Sequence, residues 1–85
     1  MTNTKPGTPQ PVRTLDITLE VCPITFVKTK LELEEMEPGE VLEVHVRDGE
    51  SRLNVVRSCV QEGNIVHAEE PVQEGIWRLL IERGE

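Results

Sequence analysis

The chain has 85 residues and a formal net charge of −7, from 16 acidic and 9 basic residues. This length allows one small domain, and one Phe, one Trp and no Tyr are too few aromatic residues to line a deep pocket. The acidic balance argues against a nucleic-acid partner, because binding to a duplex needs clustered lysines and arginines. No apolar run approaches about 18 residues and the start lacks a signal-peptide core, so we expect a cytoplasmic protein without a membrane span.

The N-terminal residues differ in composition from the rest of the chain. Residues 1–11 contain three prolines among small polar residues, which predicts a disordered tail ahead of a single domain over residues 12–85. Apolar and polar residues alternate from Val12, with Leu15, Ile17 and Leu19 on one side. This period of two predicts a half-buried first strand.

A Cys-Pro pair stands where the first helix is predicted to begin. We expect this helix to run from Pro23 to about Glu37, because proline suits the first helical position and Pro38-Gly39 would end it. A thiol just outside a helix N-terminus faces free N–H groups and the positive end of the helix dipole. Cys22 is therefore a candidate reactive thiolate. The expected apolar face consists of Phe26, Val27, Leu31, Leu33 and Met36.

The remaining predicted elements are a second strand, a second helix and two further strands. A second strand is predicted from Glu40 to Arg47, and Ser51 can cap a second helix that ends at Gly63. A third strand over 64–70, a short turn over 70–74 and a fourth strand over 75–82 follow. The residues predicted to face the core are Leu42, Val44 and Val46 on the second strand, Leu53, Val56 and Val60 on the second helix, and Trp77, Leu79 and Ile81 on the fourth strand.

The order β-α-β-α-β-β predicts an α+β fold, a two-layer α/β sandwich with a four-stranded mixed sheet and both helices on one face. The last two strands should be antiparallel because their connection is short. The opposite sheet face should be a solvated face or a contact surface for another chain, and it carries Glu43, His45, Arg47, His67 and Arg78.

This order of elements, with Cys22-Pro23 at the first helix, resembles the TusA/SirA-like family of small sulfur-carrier (sulfurtransferase) proteins. The resemblance covers roughly residues 13–82 and rests on Leu15-Asp16, Cys22-Pro23, Thr29-Lys30, the segment 36–44 and the segment 63–66. The chain departs from the family pattern at three places. Thr25 replaces a proline, Leu19 replaces a glycine, and Arg47-Asp48-Gly49 replaces an Asp-Asp-Pro turn.

The resemblance implies that Cys22 carries sulfur as a persulfide, from a donor such as a cysteine desulfurase to an acceptor protein in sulfur metabolism or tRNA thiolation. It implies protein partners, no cofactor and no metal, and it leaves open whether such a carrier counts as an enzyme. Pro23, Thr25, Lys30 and Asp16 are the candidate supporting residues. The chain could act as a monomer or a weak homodimer.

Other interpretations of these residues stay open at this point. Cys22 could be a small apolar plug, and the departures from the family pattern allow a non-catalytic interaction or regulatory module that keeps the fold but does not move sulfur. A thiol redox protein would need a second cysteine near Cys22. Cys59 lies about 12 Å along the second helix, so we expect it to pack in the core without forming a disulfide. No metal-binding spacing involves His45 or His67, which we expect at the surface.

Overall fold

The fold is a four-stranded sheet with two helices, and it confirms the predicted α+β architecture. The computed structural model describes residues 10–20 and 24–84, so most of the predicted tail lies outside the described residues. The elements are β1 (Arg13–Asp16), α1 (Ile24–Glu34), β2 (Val41–Arg47), α2 (Glu50–Gln61), β3 (Ile65–Gln73) and β4 (Ile76–Glu82). The strand order is β1-β2-β4-β3, with β1 parallel to β2 and β4 antiparallel to both of its neighbours.

The core lies between the sheet and the helices. Alternation along β2 and β4 places one set of side chains beneath the helices, as predicted, and Leu42, Val44, Val46, Leu79 and Ile81 are fully buried there. Trp77 is half-buried and packs against the same cluster. Neither helix within the described residues is long and apolar enough to cross a membrane.

The buried face of α1 is only partly the predicted one, since Leu33 and Met36 are buried as expected. The helix buries Thr25, Thr29 and Leu33, and Met36 continues this stripe just beyond the helix end. Val27 and Leu31, which were predicted to face the core, are about half exposed. Threonine can occupy a buried helical position because its hydroxyl finds a partner in the preceding turn, and Thr29 Oγ1 donates to the Thr25 carbonyl at 2.8 Å.

The second helix also differs in its start and its buried face. It begins at Glu50 after Gly49, whose φ of 98° favours glycine, so Ser51 lies in the first turn and not at the N-cap. Val55 and Cys59 are its fully buried residues, whereas Leu53 is exposed and Val56 only half-buried.

The connection between β3 and β4 is shorter than predicted. Strand β3 continues through Pro71 to Gln73, which leaves a tight turn at Glu74-Gly75. Proline is tolerated because β3 is an edge strand, and a bulge accompanies it between Pro71 and Gln73. The predicted antiparallel pairing of the last two strands is confirmed.

The sheet face away from the helices is polar, as predicted, and several of its polar side chains are paired with one another. His45 Nε2 lies 2.6 Å from Glu43 Oε2, and Arg78 donates to Glu70 at 2.5 Å. Alternation places Leu80 on this same face, where it is buried although no helix covers it. Its neighbours on the adjacent strands are Glu43 and Ala68.

Candidate functional site

The candidate site lies at the end of the sheet where both helices begin. Strand β1 ends because the Asp16 carboxylate accepts hydrogen bonds from the Thr18 N–H group at 2.9 Å and the Thr18 hydroxyl at 2.7 Å. The Glu20 N–H group then donates to the Ile17 carbonyl at 3.1 Å, which closes a turn. Leu19 is therefore a turn residue, 87% exposed, and the prediction that it continues the strand is wrong.

Asp16, a predicted supporting residue, organises this turn. Its hydrogen bonds from Thr18, with a smaller contribution from nearby His45, lower the pKa of its carboxyl group. The side chain is exposed on the sheet face away from the helices. The Asp16 carboxylate therefore holds the turn that precedes Cys22 in the sequence.

Cys22 and Pro23 lie outside the described residues, so the structure leaves both as predictions. The described residues that flank them are Glu20 and Ile24, and α1 begins at Ile24. Glu20 would oppose a thiolate at Cys22, but its carboxylate lies 2.8 Å from the ammonium group of Lys28 on α1. This pairing offsets the nearest upstream negative charge.

Thr25 and Lys30, the other two predicted supporting residues, differ in exposure. Thr25 is fully buried, so it can support the site only through the packing of α1. Lys30 is partly exposed, and its ammonium group lies 3.8 Å from the Glu62 carboxylate at the end of α2. Lys30 therefore points toward the second helix, where it lines a cavity of about 110 Å³ with Phe26 and Cys59.

Cys59 is a free, buried cysteine, which confirms its predicted place in the core. Its residue surface is 1% exposed, and burial raises the pKa of its thiol to about 12. The thiol is therefore protonated near neutral pH and is a poor nucleophile. Cys59 is therefore not a candidate for thiolate chemistry near neutral pH.

A shallow open depression of about 450 Å³ lies beside the turn that precedes Cys22, and we call it the β1–β2 depression. It is lined by Thr18, Leu19, Glu20, Arg47, Asp48, Glu50 and Ser51. The sequence pattern predicts Arg47 on the polar sheet face and does not reveal its part in this depression. The signal was available, since Arg47 is the last residue of β2 before a Gly-containing turn.

The histidines pair with carboxylates and gather no metal-binding set. His45 pairs with Glu43, and His67 Nε2 lies 2.7 Å from Glu82 Oε1. Throughout the described part of the chain, no group of three or more His, Cys, Asp or Glu side chains is arranged to hold a metal ion.

The family assignment comes from comparison with known proteins. A sequence model described as sulfurtransferase TusA matches residues 13–83. The chain belongs to this family. It is 48% identical over 69 residues to a proposed sulfur carrier protein of Archaeoglobus fulgidus, covering 81% of this chain and 78% of that one. It is 36% identical over 72 residues to a proposed sulfur carrier protein of Thermotoga maritima, covering 85% and 91% of the two chains.

A solved structure of a TusA-family relative has the same fold. The crystal structure of a SirA-like protein from Desulfitobacterium hafniense superposes with a TM-score of 0.76 at 29% sequence identity. The match covers 87% of this chain and all of that one. Of the departures from the family pattern, Leu19 and Arg47 lie together at the β1–β2 depression, whereas Thr25 is buried within α1.

Proposed function

We propose that this protein is a sulfur carrier that holds sulfane sulfur as a persulfide on Cys22 and passes it between protein partners. The observation that carries the proposal is the TusA family match over residues 13–83, which includes Cys22 two residues ahead of the first residue of α1. A cysteine desulfurase is a suitable donor, and a protein of sulfur metabolism or tRNA thiolation is a suitable acceptor. A cytoplasmic location, where thiols stay reduced, fits this chemistry.

The transfer needs no outside oxidant or reductant. The Cys22 thiolate attacks the terminal sulfur of a donor persulfide, the donor's S–S bond breaks, and the donor leaves as a thiolate. Cys22 then carries the extra sulfur through a new S–S bond. An acceptor thiolate attacks that outer sulfur and releases Cys22 as a thiolate, so each step exchanges one S–S bond for another.

Residues around Cys22 favour its thiolate form in this proposal. The N–H groups at the start of α1 and the helix dipole stabilise a negative charge by about 0.3–1 kcal/mol when the site is exposed. The Lys28–Glu20 ion pair, at 2.8 Å, offsets the acidic residue nearest upstream. Pro23 would start the helix, Thr25 and Asp16 would fix its position and the preceding turn, and Lys30 would add a positive field.

Sulfur loading measured by intact mass tests the proposal. The chain is incubated with a cysteine desulfurase and cysteine, or with inorganic polysulfide, and then analysed without reducing agent. We expect a gain of one sulfur atom that is lost in Cys22→Ser and kept in Cys59→Ser. The absence of any gain with either donor would contradict the carrier role.

The exposed Leu19 gives one reason to test a second function. A fold that no longer moves sulfur could serve as a non-catalytic interaction module and use this apolar turn as its contact. Partner binding that survives in Cys22→Ala, together with no sulfur gain in the wild-type chain, would favour the module over the carrier.

A further inference from the structure

Leu19 is presented to solvent by a turn that holds its backbone in place. The turn is fixed by the two Thr18 bonds to Asp16, by the Glu20-to-Ile17 hydrogen bond, and by the Ile17 N–H group donating to the His45 carbonyl at 2.9 Å. Leu19 is 87% exposed, more than any other large apolar residue in the described part of the chain. The chain thus holds an exposed leucine at a fixed place beside the β1–β2 depression.

Arg47 supplies a cation beside this leucine. Its side chain is exposed and forms no ion pair with any residue of 10–20 or 24–84. Two of the carboxylates that line the same depression are already occupied, since Glu20 pairs with Lys28 and Asp48 accepts from Arg52 at 2.9 Å. The guanidinium of Arg47 is therefore available to a group from outside the chain.

The cation of Arg47, unpaired among the described residues, and not the acidic balance of the chain, indicates which outside group the depression would take. The chain carries a net charge of −7 and repels an approaching anionic group overall. Such a group can therefore bind only where a cationic side chain offsets this repulsion. Arginine matches the planar geometry of a carboxylate and can donate two parallel hydrogen bonds to it. Glu50, the remaining acid of the depression, lies in the first turn of α2, where the helix dipole favours its charge.

We propose that Leu19 and Arg47 select the protein that exchanges sulfur with Cys22. The partner brings an exposed carboxylate to Arg47 and an apolar contact to Leu19, and it docks over the β1–β2 depression. This inference rests on the carrier function proposed above and adds the chemistry of the partner surface. The two residues make contact with the partner and do not take part in the transfer of sulfur.

The test compares transfer from a protein donor with the intrinsic reactivity of the thiol. The donor is the source organism's cysteine desulfurase charged with cysteine, and the neutral reagent iodoacetamide reports Cys22 reactivity. We expect Arg47→Asp to slow protein-dependent loading by about tenfold or more and to weaken its dependence on salt. Leu19→Gly should slow loading as well. In both variants, the rate of Cys22 alkylation by iodoacetamide should change far less than the rate of loading.

Arg57→Asp is the matched control, because Arg57 is exposed on α2, outside the depression, and the substitution changes the net charge equally. We expect this variant to load nearly as fast as the wild-type chain. Equal slowing in Arg47→Asp and Arg57→Asp, or no protein-dependent loading of the wild-type chain, overturns the recognition proposal. Failure of polysulfide loading in addition overturns the carrier function itself.

Discussion

The two ends of the sheet differ in how many of their groups make contacts within the chain. Where the helices begin, Leu19 is exposed and Arg47 has no ion pair with a described residue. At the other end, the Gly39 N–H group donates to the Arg83 carbonyl at 3.0 Å and the Arg83 guanidinium donates to the Met36 carbonyl. The difference suggests that recognition and stability depend on separate residues, which substitutions can test one end at a time.

The largest expected effect is a difference between the two thiols in their rate of alkylation. In Cys22→Ser, we expect native Cys59 to react with iodoacetamide at neutral pH roughly a thousandfold more slowly than an ordinary cysteine, because its pKa is raised to about 12. The measurement is the alkylation rate by intact mass. Urea-unfolded protein is the control and should react at the ordinary rate. Fast labelling of the native variant would contradict the burial of this thiol.

Apolar residues at the two ends should differ strongly in their effect on stability. Met36 is 2% exposed, so Met36→Ala should lower the free energy of unfolding by about 2–5 kcal/mol. The matched change Leu19→Ala should lower it by less than about 0.5 kcal/mol, since that side chain is 87% exposed. Urea titration followed by Trp77 fluorescence measures both. Similar losses in the two variants would show that Leu19 packs against the fold.

The contribution of the Asp16 carboxylate to stability should be smaller, and its loss should appear only at acidic pH. The pKa of Asp16 is lower in the folded chain than the unfolded value of about 3.9, so its contribution to stability is complete above that value. This contribution is lost as the pH falls through the folded pKa. We therefore expect Asp16→Asn to flatten the fall of the urea midpoint below about pH 4, relative to Glu74→Gln as an exposed control. Parallel acid profiles for Asp16→Asn and the wild-type chain would contradict this prediction.

The strands could be predicted from the sequence because their periodicity is simple. Alternation identified the buried residues of β2 and β4 that face the helices, including Val44 and Leu79, and the chain order gave the parallel and antiparallel pairings. The helix faces could not be predicted in the same way. Leu33 and Met36 are buried as predicted, but Thr25 and Thr29 are polar in type yet buried, while Leu31 is apolar yet exposed. A count of apolar residues therefore gave only part of the buried stripe.

The sequence indicates a candidate reactive residue, which stays a prediction, but it shows little of the surroundings of that residue. The Cys22-Pro23 pair is the predicted reactive position, and it lies outside the described residues. The Lys28–Glu20 ion pair joins a turn to a helix, so only the folded chain shows it. The same holds for Arg47, which is near Leu19 because β1 and β2 are neighbouring parallel strands.

The pH dependence of Cys22 alkylation in Cys59→Ser tests the central claim most directly. If the start of α1 stabilises a thiolate at Cys22, the rate of reaction with iodoacetamide should rise with a midpoint below the ordinary thiol value of about 8.5. The effect should be modest, since helix-end stabilisation at an exposed site is worth about 0.3–1 kcal/mol. A midpoint at or above about 8.5 would contradict the account.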